Sequence, residues 1–389
     1  MDPKLRAWWS HRQGLDGSLA GKNAAEVLAQ TGWARSVGGS SPYLTLFARA
    51  GLRRGDVDTA LEKIKIQELP GPRGCTYVVP ASDFALALAS GQPFSGDEIK
   101  VAAKLGVTSA EIDKLRTAIL KALAAGPMEP DELKAQVGNA ARSLGAEGAK
   151  KGITTTLPVA LGLLQAEGEI RRVSLDGRID RQRYRYALWN PNPLTKWKKT
   201  AAQSFTELAR QYFGWIAPAA LAEFQWFSGL GVKAAKDAVA PLQLKTVDRD
   251  LHLRPEDVEA FTRFEAPERP QYCLVGNLDG ISHLRRDVQS LVAAEDQKRG
   301  FIGSKGPLVD LPNHAILDRG RVVGLWEFDP DSARIVWKSF VPRNREMEKA
   351  VHAMEAFIRE DLGDARSFSL DSPARRAPRI EALRKAASA

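Results

Sequence analysis

The chain is poor in the residues that most often mark a catalytic or metal centre. Its 389 residues include only two cysteines, Cys75 and Cys273, and five histidines, His11, His252, His283, His314 and His352. Two cysteines cannot build a disulfide framework, no C-x-x-C occurs, and the scattered histidines give no ligand spacing. Neither a structural metal nor a cofactor is therefore expected. No apolar run reaches the roughly eighteen residues of a membrane-spanning helix. The opening MDPKLRAWWSHRQ lacks the apolar segment of a signal peptide. These absences make a cytoplasmic protein in a reduced setting the expectation, with no membrane segment.

What the chain does contain is core-forming material and positive charge. It is 44% hydrophobic with nine tryptophans, the composition of a well-buried globular protein. Its length predicts roughly two to four domains. Lysine and arginine number 56 against 47 acidic residues, giving +9 and a pI near 9.5. That balance favours a polyanionic partner.

One module recurs. Its clearest copy is TSAEIDKLRTAILKALAAGPMEPDELKAQVG, where Thr108 and Glu111 have capping-box spacing. Ile112, Leu115, Ile119, Leu120 and Leu123 share one helical face, Gly126 and Pro127 end the helix, and Pro130 opens a shorter one. A third helix from Pro158 is capped by Gly168. A strand from Ile170 then turns at Asp176-Gly177 into a partner over Arg181–Trp189, where Tyr184, Tyr186 and Leu188 alternate with Arg183 and Arg185. Helix, short helix, helix and hairpin form a winged helix-turn-helix. NAAEVLAQTG, SPYLTLFARAG and RGDVDTALEKIK precede a hairpin near 66–80 in a first copy. A third copy runs through TAAQSFTELARQYFG, APAALAEFQWFSGL and VKAAKDAVAPL, with Pro218 placed like Pro130.

Beyond about 265, QYCLVGN, HAILDRGRVVGLWEF and RIVWKSF read as strands, with a turn at Asp318-Arg319-Gly320. NREMEKAVHAMEAFIREDLG is an amphipathic helix closed by Gly363, and SPARRAPRIEALRKAASA is a loose basic tail. The expected fold is α+β: three tandem winged helix-turn-helix modules followed by a β-rich C-terminal region. Winged helix 1 with its N-terminal helix takes 1–100, winged helix 2 takes 101–195 and winged helix 3 takes 196–265. The β-rich region with one helix takes 266–370, and the tail 371–389.

Charge concentrates on the middle module. Between Arg171 and Lys199 lie nine basic residues and two acidic ones, Asp176 and Asp180. A basic wing suits a phosphate backbone, because each neutralised phosphate releases counterions. Phe224 and Phe227 share a helical face and are expected in the core. Trp8 and Trp9 are expected to pin the N-terminal helix to the first module.

Several stretches in the right order carry a resemblance. They are Gln13-Gly14-Leu15, SPYLTLFAR, RGCTYVVPASDF (for R-G-T-h-h-h-V-p-a-x-D), APAALAEFQWFSGL, LDGISHLRRD (for F-D-x-h-h-h-x-R-x-x) and GRVVGLWEF (for G-R-V-V-G-x-W). Over most of its length the chain resembles the winged-helix DNA glycosylases of the AlkZ/YcaQ type, which unhook crosslinked or alkylated nucleobases. The resemblance implies three winged helices in a C shape with a basic concave face. It also implies double-stranded DNA, alkylated or crosslinked, as partner, for a monomer associated with the nucleoid.

GWARSVGGSSPYLTLFAR departs from that family. The family's Gln-x-Gln or Gln-x-Asp pair falls on Arg35 and Val37 in one register and on Ala34 and Ser36 in the other. Valine cannot orient water, and arginine is permanently cationic beside a developing positive charge. Other candidates for a catalytic group are Gln13, Gln30, Glu68 and Asp83. Gly38 and Gly39 either admit a phosphate close to the backbone or simply join two helices. Candidate DNA-binding residues are Arg35, Arg49, Arg171, Arg172, Arg178, Arg181, Arg183, Arg185, Lys198 and Lys199. The readings that follow are a DNA-binding protein without hydrolysis, a glycosylase with non-standard catalytic residues, and a non-catalytic regulator or protein-interaction scaffold.

Overall fold

A helix, a very short strand, two further helices and a hairpin recur three times along the chain. The structure, a computed structural model, describes residues 2–297 and 308–388. After α1 (Pro3–Arg12), the first copy comprises α2 (Ala24–Thr31), β1 (Ala34–Arg35), α3 (Ser41–Ala50), α4 (Arg54–Glu62), β2 (Ile66–Pro70) and β3 (Thr76–Pro80). The strands are antiparallel in the order β1-β3-β2, with Arg35 opposite Tyr77 and Glu68 opposite Val78. Next come α5 (Phe84–Gly91) and α6 (Asp97–Lys104).

The second copy has α7 (Ser109–Leu123), α8 (Pro130–Val137), an added α9 (Gly145–Lys150), α10 (Leu157–Ala166), β4 (Ile170–Ser174) and β5 (Tyr184–Leu188). Its first strand shrinks to one residue: Met128 exchanges backbone hydrogen bonds of 3.0 and 2.8 Å with Tyr186. The third copy has α11 (Ala201–Ile216), β6 (Ala219–Ala220), α12 (Leu221–Ser228), α13 (Val232–Val239), β7 (Lys245–Asp248) and β8 (Leu251–Leu253), in sheet order β6-β8-β7. α14 (Val258–Arg263) follows it.

The first helices begin where the sequence supplies caps. Asn23 with Glu26, Thr108 with Glu111 and Thr200 with Gln203 each close a capping box, satisfying amide groups the helix itself leaves open. On α7, Leu115 and Ile119 are fully buried, and the middle copy packs a core of its own with Leu133 and Leu164. The outer two copies share theirs with the C-terminal region.

That region is an antiparallel sheet of β9 (Tyr272–Val275), β10 (His314–Asp318), β11 (Arg321–Asp329) and β12 (Arg334–Ser339), with the short α15 (Gly280–His283) after β9. Arg319 and Gly320, at φ 46° and 76°, make the expected tight turn between β10 and β11. α16 (Arg345–Phe357) is capped by Asn344 and reaches Gly363 through one wider turn. Finally α17 (Pro373–Ser388) packs against β11 and β12.

Five expectations need correcting. The tail is not loose: Leu383 and Arg376 are fully buried, and Arg376 and Arg379 pair with Asp364 and Glu327 at 2.8 and 2.7 Å. Arg379 finds its acid on β11 and Arg376 finds one just after Gly363, which composition does not reveal. Trp8 and Trp9 anchor α1 to the third copy, donating to the carbonyls of Ala217 and Pro218 at 2.8 and 2.9 Å. The strand expected from Arg181 begins at Tyr184, because Arg178 folds inward onto Asp180 and the Leu362 carbonyl and stretches the connection. Pro218 precedes β6 instead of opening a helix, and Leu188 faces outward at 38% exposure.

Candidate nucleic-acid interface

The hairpin of the second copy sorts its cations by depth. Arg181, Arg183 and Arg185 are exposed, and so are Lys198 and Lys199 just beyond it. Arg183 makes no ion pair among the described residues. Arg181 pairs with Asp176 at 3.0 Å, Arg185 reaches Glu129 only at 4.0 Å, and Lys199 pairs with Glu207 at 2.8 Å. Lys198 donates to the Thr195 carbonyl at 3.3 Å. Tyr186 is buried beneath this face, as its alternation with Arg185 predicts. Arg171 is half-buried, and burial lowers its pKa. Arg172 lies 4.5 Å over the Tyr184 ring and 3.6 Å from Glu68.

Two of the candidate cations are structural. Arg178 is buried and holds Asp180 at 2.5 Å. Arg49 is buried in a fork on Asp279, at 2.7 and 2.8 Å, and also donates to Gln13 Oε1 at 2.7 Å. Gln13 passes the link to the carbonyls of Thr31 and Trp215. Both guanidinium groups are consumed by internal acids, so neither is available to a phosphate. Gln13 likewise tethers helices, and Asp83 is buried accepting the Trp33 indole N–H at 2.9 Å. Gln30 is exposed on α2.

The third helices, which read bases in many winged helices, offer little here. α4 carries Asp56, Asp58 and Glu62, and α10 is apolar, burying Leu157, Val159, Leu161 and Leu164. α13 exposes Lys233, already paired with Asp237, and Lys236.

The glycine knot approaches protein. A Cβ on Gly39 would lie 2.3 Å from the Ser367 carbonyl oxygen, and one on Gly38 2.3 Å from the Gln182 side chain. The amide and hydroxyl of Ser40 both donate to the Arg366 carbonyl at 2.9 Å, and the Ser369 amide donates to the Val37 carbonyl at 3.1 Å. The close approach that glycine permits is thus made by a strap of this chain, residues 366–369.

Beside the knot, the family's slot is divided by strand alternation. Ala34 is buried in the core. Arg35 is half-buried, donating to the Thr76 carbonyl at 2.8 Å and lying over the Tyr77 ring. Ser36, almost fully buried, donates its hydroxyl to Glu68 Oε1 at 2.5 Å. A carboxylate therefore sits next to a slot position although no acid occupies the slot in sequence. Val37 is half-buried under the strap.

A further cluster was not singled out from the sequence. Arg73, at the tip of the β2–β3 hairpin, and Arg286, after α15, both lie against Trp226 of α12, with His283 at its ring edge. The signal was present in RGCTYVVP and LDGISHLRRD, but only the fold brings these stretches to one tryptophan. Among the described residues, no three His, Cys, Asp or Glu converge as metal ligands, and no helix is long and apolar enough to cross a membrane.

The family described as DNA glycosylase AlkZ-like matches residues 25–357. Among solved structures, the chain is similar to the Streptomyces sahachiroi DNA glycosylase AlkZ, with a TM-score of 0.70 and 18% identity over 94% of this chain and 97% of that one. At that identity the likeness is one of fold. None of the curated proteins matches the sequence.

Proposed function

The chain belongs to the AlkZ-like DNA glycosylase family, and from that premise we propose that it binds duplex DNA, intact or alkylated, through the basic hairpin of its second winged helix. The observation that carries this reading is the row of exposed Arg181, Arg183 and Arg185 over a buried Tyr186, with Arg183 free of any ion pair among the described residues. Such a row suits phosphates, which position a protein on DNA without specifying sequence. Little sequence preference is expected, since α4 is acidic and α10 is buried. Fluorescence anisotropy with a labelled duplex tests this. Binding should weaken steeply from low to moderate salt and vary little between unrelated duplexes; salt-independent binding, or none, contradicts the proposal.

On this reading the protein is a weak glycosylase or none. Neither Arg35 with Val37 nor Ala34 with Ser36 can hold and activate water beside an oxocarbenium-like sugar. One contact favours a second reading, in which hydrolysis survives. Glu68 accepts the Ser36 hydroxyl at 2.5 Å, so a carboxylate stands at the slot through space. It would stabilise the developing positive charge and orient water, the work of the family's missing pair.

A further inference from the structure

We propose that Arg35, Arg73 and Arg286 together form a site for one phosphate group, walled by Trp226. The proposal rests on the DNA-binding reading for the source of that phosphate, but not for the existence of the site.

The three side chains are positioned, not scattered. Arg73 has a left-handed backbone (φ 61°), and its guanidinium lies 4.0 Å from the centre of the Trp226 ring. Gly229 clears its path, since a Cβ there would stand 2.6 Å from Arg73 Cγ. Arg286, also left-handed at φ 55°, lies 5.1 Å from the same ring centre. Its Nε donates to Asp310 at 3.1 Å, and its side chain is 40% exposed, which leaves an approach from solvent. Arg35 is oriented by the Thr76 carbonyl and lies 5.4 Å from the Tyr77 ring centre.

The charges are not balanced from within. Among the described residues, neither Arg35 nor Arg73 has an ion pair, and the acid on Arg286 is half-exposed Asp310. Among the described residues, three polar side-chain atoms in the same neighbourhood are buried without a hydrogen-bond partner: Arg73 Nη1, the Tyr77 hydroxyl and His283 Nε2. Tyr77 is 1% exposed, so water does not serve it from bulk. Burial, followed by the charges of Arg35, Arg73 and Arg286, pushes the His283 pKa down to about 4, so the imidazole adds no fourth charge at neutral pH. Like charges gathered with unsatisfied donors cost stability unless an anion completes them. A phosphate supplies several acceptor oxygens to guanidinium forks coming from different elements, and a stacked arginine presents its donors edgewise. A flat carboxylate has fewer acceptors to share among three forks.

The experiment compares wild type with R35Q/R73Q/R286Q and with the single R286Q, whose side chain is exposed and whose fold is therefore secure. Two probes are used: inorganic phosphate, read by thermal melting, and a labelled duplex, read by the slope of log affinity against log salt. Phosphate should raise the wild-type melting temperature, less that of R286Q, and not that of the triple variant. Because three arginines share one phosphate, the triple variant should lose about one unit of slope, at about 0.9 per contact. A loss near three units means separate phosphates and overturns the site. Unchanged slope with unchanged phosphate stabilisation in folded R286Q also overturns it. If wild type responds to phosphate but does not bind the duplex, the site stands as one for free phosphate and the DNA reading fails instead.

Discussion

Arg49 and Asp279 lie 230 positions apart and meet in a two-pronged ion pair, with Nη1 and Nη2 donating at 2.7 and 2.8 Å. Both side chains are essentially inaccessible, at 1% and 0% exposure. The pair fastens α3 of the first copy to the segment that follows β9, and Gln13 ties α1 into the same node. Asp279→Ala leaves a buried guanidinium without its partner, which typically costs about 3–5 kcal/mol. Urea unfolding should show a loss of that order; a change within about 0.5 kcal/mol would show the pair to be incidental.

The Ser36–Glu68 contact sets a second expectation. On a duplex carrying alkylated purines, wild type should release base near background, because a positioned acid–base group contributes about 10² to 10⁴-fold. Robust release that Glu68→Gln reduces by a similar factor would instead establish Glu68 as the catalytic carboxylate. A salt titration of the Gln variant separates lost chemistry from lost binding.

The strap predicts an effect at a residue far from it in sequence. Gly39→Ala puts a methyl group 2.3 Å from the Ser367 carbonyl, so the strap must lift or the knot must shift. Overpacking of this kind costs about 1–3 kcal/mol. Limited proteolysis should show faster cleavage near 366–371 in the variant; an unchanged pattern and unchanged stability would mean that the strap does not rest on the knot.

Much of the architecture was legible because it is written in local signals. Capping pairs such as Thr108 with Glu111, the prolines at α8 and α10, and the Arg319-Gly320 turn each act within a few residues. Less was legible where long-range contacts decide. Nothing near Arg49 announces Asp279, and nothing in SPARRAPRIEALRKAASA shows that Arg376 will be buried against Asp364. Gly38 and Gly39 did signal a close approach, but not that residues 366–369 would make it. Exposed Arg183 and buried Arg178, five residues apart, look alike in sequence; only the fold shows that Asp180 claims one of them.

His283 gives a pH test. Its folded-state pKa, about 4, lies below the unfolded value of about 6.5, so between those limits the unfolded chain binds more protons. Stability should therefore fall as pH drops from about 6.5 towards 4, by about 2–3 kcal/mol from this group. His283→Phe should flatten that part of the profile. If the variant and wild type lose stability in parallel over the window, His283 is not the group responsible.

The wing carries the central claim, and one salt titration tests it most directly. Affinity for a labelled duplex is measured against salt for wild type and for R181A/R183A/R185A. If these exposed arginines hold phosphates, the variant should bind more weakly and its log–log slope should flatten by roughly two to three units, at about 0.9 per lost contact. Unchanged affinity and slope in the folded variant would contradict the account, leaving the hairpin as solvated surface.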